Sequence, residues 1–290
     1  MNPDRNPAPP RPPAAVPLAA CLDAATRAAR AAGGAMRHHL NRPKKVHSAT
    51  RHDIKLELDV RCQQRIARIL RRAFPDAALL GEEGTGGNPD SPWRWVVDPI
   101  DGTVNFTHGV PHACVSIALQ SRSENAPAFS PAGAAYADGF ATRLGVVYDP
   151  FTGELWTATD RGPARLNGRP IRVATTTRLS ASIVALGFAK SRASLERMLP
   201  LFQHLVHRVR KIRIMGAAAL SLTYVASGRF DGYVESGVQL WDIAAGGLLV
   251  QRAGGVFWRR ELADRSGYAM LVGPAPLQRA LRRLPNAATP

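Results

Sequence analysis

The chain has 290 residues, 45% of them hydrophobic and 21% charged, which suits one large folded domain or two small ones and excludes a mostly disordered chain. Its net charge of +16, with 33 arginines and 5 lysines against 22 acids, admits anionic substrates, nucleic acid or acidic partners, but no run of five basic residues gathers that charge, so a solvated basic surface accounts for it. Cys21, Cys62 and Cys114 lack CxxC spacing, which argues against a disulfide framework or zinc site, and nothing approaches the roughly 18 consecutive apolar residues of a membrane span, so the expectation is a soluble, cytoplasmic protein without a cleaved signal.

Residues 1–17, rich in Pro and Ala with no apolar period, read as a flexible N-terminal arm. Leu18, Cys21, Leu22, Ala25, Ala28, Ala29 and Met36 recur at helical spacing and predict an amphipathic helix over 17–40. A second helix is predicted over 60–73, with Asp59 as its N-cap and Pro75 beyond its end. Strands are expected at 93–99, 113–119, 143–149 and 154–159. From residue 182 the pattern alternates: strand 182–188, helix 193–206, a short strand near 212, helix 217–227, strand 230–235 and helix 242–252. Strands at GGVFW and YAMLVG and a helix at 275–284 complete it. The division expected is an α+β half at 18–180 and an α/β half at 181–290.

The stretch WVVDPIDGTVNFTHG carries the chemistry. Asp98 and Asp101 stand three apart at a strand end, and Pro99 fixes its own φ and removes a donor, so a sharp turn after Asp98 is expected to bring Asp101 back to the same point. Gly102 and Thr103 then open a segment whose backbone N–H groups can accept a phosphate. Upstream, Glu82 and Glu83 lie between an apolar run and a glycine-rich loop, read as a mobile flap; downstream, Asp242 starts a helix. Carboxylates from three distant segments, each at an element end, suit a hard cation such as Mg²⁺. Taken singly, a solvated turn explains Asp98 and Asp101 and a helix cap explains Asp242. His108 and His112 flank the stretch, with a structural role favoured over acid catalysis.

GEE at Gly81 to Glu83, DPIDGTVNF at Asp98 to Phe106 and WDIAAG at Trp241 to Gly246 resemble, in this order, the hallmarks of the inositol monophosphatase family of lithium-sensitive, metal-dependent sugar phosphatases. The similarity runs over about residues 20–285, including GVVYDP at 145–150 and LNGRPI at 166–171. It implies a layered α/β fold, the αβαβα sandwich of the sugar phosphatases, and a homodimer. By position, Glu82, Asp98 and the Ile100 carbonyl would hold one Mg²⁺, and Asp98, Asp101 and Asp242 a second, within a site of two or three ions. Thr103, with Asp59 behind it, resembles the pair that orients the attacking water. Asp101, Gly102, Thr103, Gly216, Ala217, Glu235 and Asp242 match substrate-facing positions. The activity implied is inositol-phosphate phosphatase or a similar polyol phosphatase, because NF follows DPIDGT where relatives acting on adenosine bisphosphate often have KEF. Histidinol phosphate, fructose 1,6-bisphosphate, adenosine 3′,5′-bisphosphate and NADP are the rival substrates.

Three departures stand out. DIKLELD keeps the outer acids Asp53 and Asp59 but puts Lys55 and Leu56 between them; Ser48 stands near the place of a family lysine, and Lys55 either supplies that charge or is a surface lysine, the surface role being favoured; and Ala217 replaces a Thr or Ser. From another class, the +16 charge and basic arm suit an accessory protein of RNA or RNA polymerase.

Overall fold

A computed structural model describes residues 17–49, 54–123, 135–188 and 192–284. The expected arm, Asp53, and the side chains of Ser48 and Lys55 lie outside the described residues. In chain order the elements are helix α1 (Leu18–His39), strands β1 (Val46–Ala49) and β2 (Ile54–Leu56), α2 (Glu57–Ala73), β3 (Ala78–Gly81), β4 (Gly84–Gly86), β5 (Trp93–Asp101), the short α3 (Thr103–Thr107), β6 (Cys114–Arg122), β7 (Phe140–Asp149), β8 (Glu154–Thr159), β9 (Arg165–Leu166) and β10 (Arg169–Pro170). The remainder are β11 (Ile183–Leu186), α4 (Arg192–Val206), β12 (Lys211–Arg213), α5 (Ala218–Ala226), β13 (Gly232–Val238), α6 (Leu240–Arg252), β14 (Val256–Glu261), β15 (Tyr268–Gly273) and α7 (Ala275–Arg282).

Strands β3 to β10 form one eight-stranded sheet in the order β10-β9-β8-β7-β6-β5-β3-β4, antiparallel except where β3 runs parallel to β5. A five-stranded sheet follows in the order β12-β11-β13-β15-β14, with β11 parallel to both its neighbours. Alternate residues of the central strands of the large sheet enter different cores. Val96, Cys114, Ala118 and Val147 face α5 and α6, while Trp95, Val97, Ile117 and Val146 face α1 and α2. Because both faces are covered, these strands read as continuous apolar runs. On the far face of the small sheet, Val184, Leu186, Val234 and Leu271 pack against Met198, Leu201 and Leu205 of α4 and Leu277 and Leu281 of α7. The order helix, sheet, helix, sheet, helix gives the expected five layers.

Small residues set the spacing of those layers. α6 is buried nearly all round, as a helix between two sheets must be. A Cβ on Gly145 of β7 would stand 2.8 Å from the Ala245 carbonyl oxygen, and one on Gly246 would stand 2.6 Å from Leu222. The AAGG run after Asp242 is therefore a packing requirement. α1 uses alanine similarly, burying Ala24, Ala25, Ala28, Ala29 and Ala32 against the large sheet. Among the described residues, no helix is long and apolar enough to cross a membrane.

Candidate active site

β5 does not turn after Asp98. It continues to Asp101 through a bulge: Asp98 pairs with Ser116 and Asp101 with Cys114, so one extra residue of β5 is accommodated between them. Residues three apart on a regular strand point to opposite faces; the extra residue returns both acids to the same side. Pro99, which donates nothing to the ladder, sits within the bulge. The Asp98 carboxylate accepts the Ile100 N–H at 3.0 Å, within the bulge. Gly102 follows with φ +92°, and a Cβ there would stand 2.9 Å from the His112 carbonyl oxygen, so glycine alone fits the start of α3.

Asp101 is buried and crosses between the halves. Its two oxygens accept the Ala218 N–H at 3.1 Å and the Ala219 N–H at 2.7 Å, closing the start of α5, and the Cys114 thiol donates to it at 3.6 Å. Burial pushes its carboxyl up to about 6, opposed by the α5 N–H groups and reinforced by Glu82. Asp242 is the third residue of α6, where it accepts the Gln239 N–H at 2.7 Å. Oxygens of Asp98, Asp101 and Asp242 lie within 4.8 Å of one another. Glu82 also lines the cleft but stands outside that trio, on the turn between β3 and β4.

That turn is a fixed hairpin and not the expected flap. Gln63 of α2 donates to the Gly84 carbonyl at 3.0 Å and accepts the Glu83 N–H at 2.9 Å, and a Cβ on Gly81 would collide with Gln63. Asp59 is likewise not an N-cap: α2 begins earlier, at Glu57, and the Asp59 carboxylate reaches back to the Leu56 N–H at 2.7 Å. Buried Asp59 does not line the cleft; β2, at whose end it is anchored, packs on α3.

The cleft above these acids has a volume of about 520 Å³. Ile100, Gly102, Thr103, Gly216, Ala217 and Glu235 all line it. The Thr103 hydroxyl donates to the Ile100 carbonyl at 2.8 Å. Glu235, on β13, accepts the Tyr233 O–H, and burial pushes its carboxyl up to about 7, with Asp101 adding to the rise and Tyr233 opposing it. Gly187 has no Cβ because the Glu235 carboxylate occupies that space. Asn105 was read as a marker of substrate type; here its amide clamps two segments, donating to the His112 carbonyl at 3.0 Å and the Met215 carbonyl at 2.9 Å. Phe106 is fully buried. Neither His108 nor His112 lines the cleft, and the His112 ring lies against Tyr224. Sequence reading missed Tyr233, Gln63 and Gly187 because each acts through a partner far away in sequence.

A sequence model of the inositol monophosphatase family matches residues 18–130 and 133–274. The Nus factor SuhB of Xylella fastidiosa is 39% identical over 79% of this chain and 78% of its own length. The inositol-1-monophosphatase of Synechocystis is 38% identical over 81% of this chain and 77% of its own. Among solved structures, the extragenic suppressor protein SuhB of Bartonella henselae superposes with a TM-score of 0.79 at 31% identity, covering 91% of this chain and 97% of that one.

Proposed function

The chain belongs to the inositol monophosphatase family, and from that premise we propose that it is a phosphoric monoester hydrolase acting on small polyol or sugar phosphates, inositol monophosphate first among them, with Mg²⁺ as cofactor. One observation carries the reading. Among the described residues, five carboxylates and no Lys or Arg line the cleft, in a chain whose net charge is +16. A phosphate ester is an anion at neutral pH and meets repulsion in such a cleft unless cations stand between.

The donor set fits hard cations: oxygen ligands, and no imidazole among the described lining residues. Asp98, Asp101 and Asp242 would hold them, with Glu82 and the Ile100 carbonyl at the edge, in a site of two or three ions. A bound dication neutralises phosphate charge and acidifies water. The chain's own residues do the rest. Thr103 has committed its hydroxyl proton to Ile100, so toward the cleft its oxygen only accepts, which orients the O–H of an attacking water. Asp59 fixes the junction of β2 and α2, and β2 packs on α3, the helix that carries Thr103. Gly102, Ala217 and Gln239, at the starts of α3, α5 and α6, line the cleft around the place a phosphate would take. Glu235, which lines the cleft, would accept a hydroxyl of the leaving group.

Phosphate release tests this, using inositol 1-phosphate, histidinol phosphate, fructose 1,6-bisphosphate, adenosine 3′,5′-bisphosphate and NADP, each with Mg²⁺ and with chelator. Release from at least one ester that stops with chelator is expected; no release from any overturns the reading. A homodimer in the cytoplasm belongs to the same proposal, and sedimentation of the purified chain tests the dimer.

A second reading, an accessory protein of RNA or RNA polymerase, is favoured by the exposed cluster Arg208, Arg210, Lys211 and Arg213 around the edge strand β12. Steeply salt-dependent RNA binding that survives Asp98→Asn would support it; no binding at physiological salt would remove it.

A further inference from the structure

Glu235 lines the cleft from β13, a strand paired on both sides, with β11 and with β15. Two neighbours hold its carboxylate. Tyr233, the alternate residue of the same strand, shares its face and donates its O–H to Glu235 Oε2. The Tyr233 ring is itself fixed, 2% exposed and packed into the core that contains α5 and α6. Burial and the neighbouring carboxylate push its phenol well above the ordinary range, so it keeps its proton and acts as the donor. The second neighbour is Gly187, where any Cβ would take the space of the carboxylate. The Gly187 N–H donates to the Val234 carbonyl at 3.1 Å, which ties this segment to β13.

That arrangement leaves one oxygen to a ligand. Among the described residues Tyr233 is the hydrogen-bond donor to Glu235, and it takes Oε2, so Oε1 remains for the cleft. The last torsion of a glutamate is broad, and a carboxylate free to turn offers hydroxyls a spread of acceptor positions. With one oxygen bonded and Gly187 beneath it, the carboxylate offers a single one.

We infer that Tyr233 is a positioning residue for leaving-group selection: by holding Glu235 Oε2 it aims Oε1 at one hydroxyl of a polyol, in the room that Gly187 leaves, and so sets the preference of the site for a hydroxylated ring over a bare one. This rests on the phosphatase reading above. An acceptor discriminates only as well as its own support fixes it, here a tyrosine in the core and a strand in mid-sheet.

The test compares kcat/KM for inositol 1-phosphate and for cyclohexyl phosphate, the same ring without its hydroxyls, in Mg²⁺. The proteins are the wild-type chain, Tyr233→Phe, Gly187→Ala, Glu235→Ala and the double variant Tyr233→Phe with Glu235→Ala. The wild type is expected to favour inositol 1-phosphate by at least about 10²-fold, and Tyr233→Phe and Gly187→Ala each to lower that ratio about tenfold. Both esters are measured on one preparation, so loss of folded protein does not imitate the effect. In the Glu235→Ala background, Tyr233→Phe is expected to move the ratio by less than about twofold, because nothing is left for it to position. A ratio unmoved by Tyr233→Phe, an equal fall with and without Glu235, or a wild type that treats the two esters alike overturns the inference while leaving the phosphatase reading standing. Release from neither ester by the wild type removes that reading and the inference with it.

Discussion

The floor and the mouth of the cleft are built differently. On the floor, Asp98, Asp101 and Asp242 each accept backbone N–H groups, from Ile100, from Ala218 and Ala219, and from Gln239. Their positions follow from a strand bulge and two helix starts, so they move only if those elements move. At the mouth, Val104 and Ile214 extend into solvent and nothing in the core requires their shape. The chemistry is thus tied to the scaffold, while the mouth is lined by side chains the scaffold can exchange.

Substitutions that respect this division should separate turnover from stability. The largest effect is expected from Asp98→Asn, which removes a charge from the floor at nearly constant volume. Turnover should fall by at least about 10³-fold, equivalent to about 4 kcal/mol at the transition state, with an unchanged circular dichroism spectrum. Activity near wild type would break the link between the trio and catalysis.

Glu235→Gln should act next most strongly, on stability and with a definite pH dependence. A carboxyl raised from 4.5 to about 7 holds its proton more tightly in the folded chain. Stability is therefore highest below the unfolded value and is lost as pH rises toward 7. Glutamine escapes this loss and still accepts the Tyr233 O–H. In chelator, the variant should match the wild type at about pH 4 and exceed it by up to about 3 kcal/mol at pH 8, read from denaturant unfolding. An advantage that does not change with pH would contradict the burial argument.

Asn105→Ala should cost about 2 kcal/mol by leaving the 112 and 215 carbonyls without their donor. Since Asn105 joins the two sides of the mouth, KM should rise more than kcat falls. The smallest effect is expected far from both regions. Arg229 and Glu154 form a partly exposed ion pair, and Glu154→Gln should change stability by about 0.5 kcal/mol and leave turnover alone.

The floor was largely legible in the sequence because its acids sit in long motifs at the ends of strongly patterned elements. The predicted helix at 17–40 and strands at 93–99 and 154–159 match α1, β5 and β8 within a few residues, since each carries an uninterrupted apolar pattern. The bulge in β5 was not legible, because register is set by β6 and not by Pro99. Nor was the β3–β4 hairpin: strands of four and three residues carry no period, and the Gln63 that pins them lies on α2. The mouth left no trace at all. Val104 looks like any helical valine and Ile214 like any residue after a basic run, and their segments are joined by the hydrogen bond from the Asn105 amide to Met215 O, which spans 110 positions.

The most direct test of the account is phosphate release from inositol 1-phosphate as Mg²⁺ is titrated into the wild-type chain and Asp98→Asn. Saturable, chelator-sensitive release by the wild type and almost none by the variant is the expected result. Wild-type release that persists in chelator, or equal release by both proteins, would contradict the claim that these carboxylates act by holding metal.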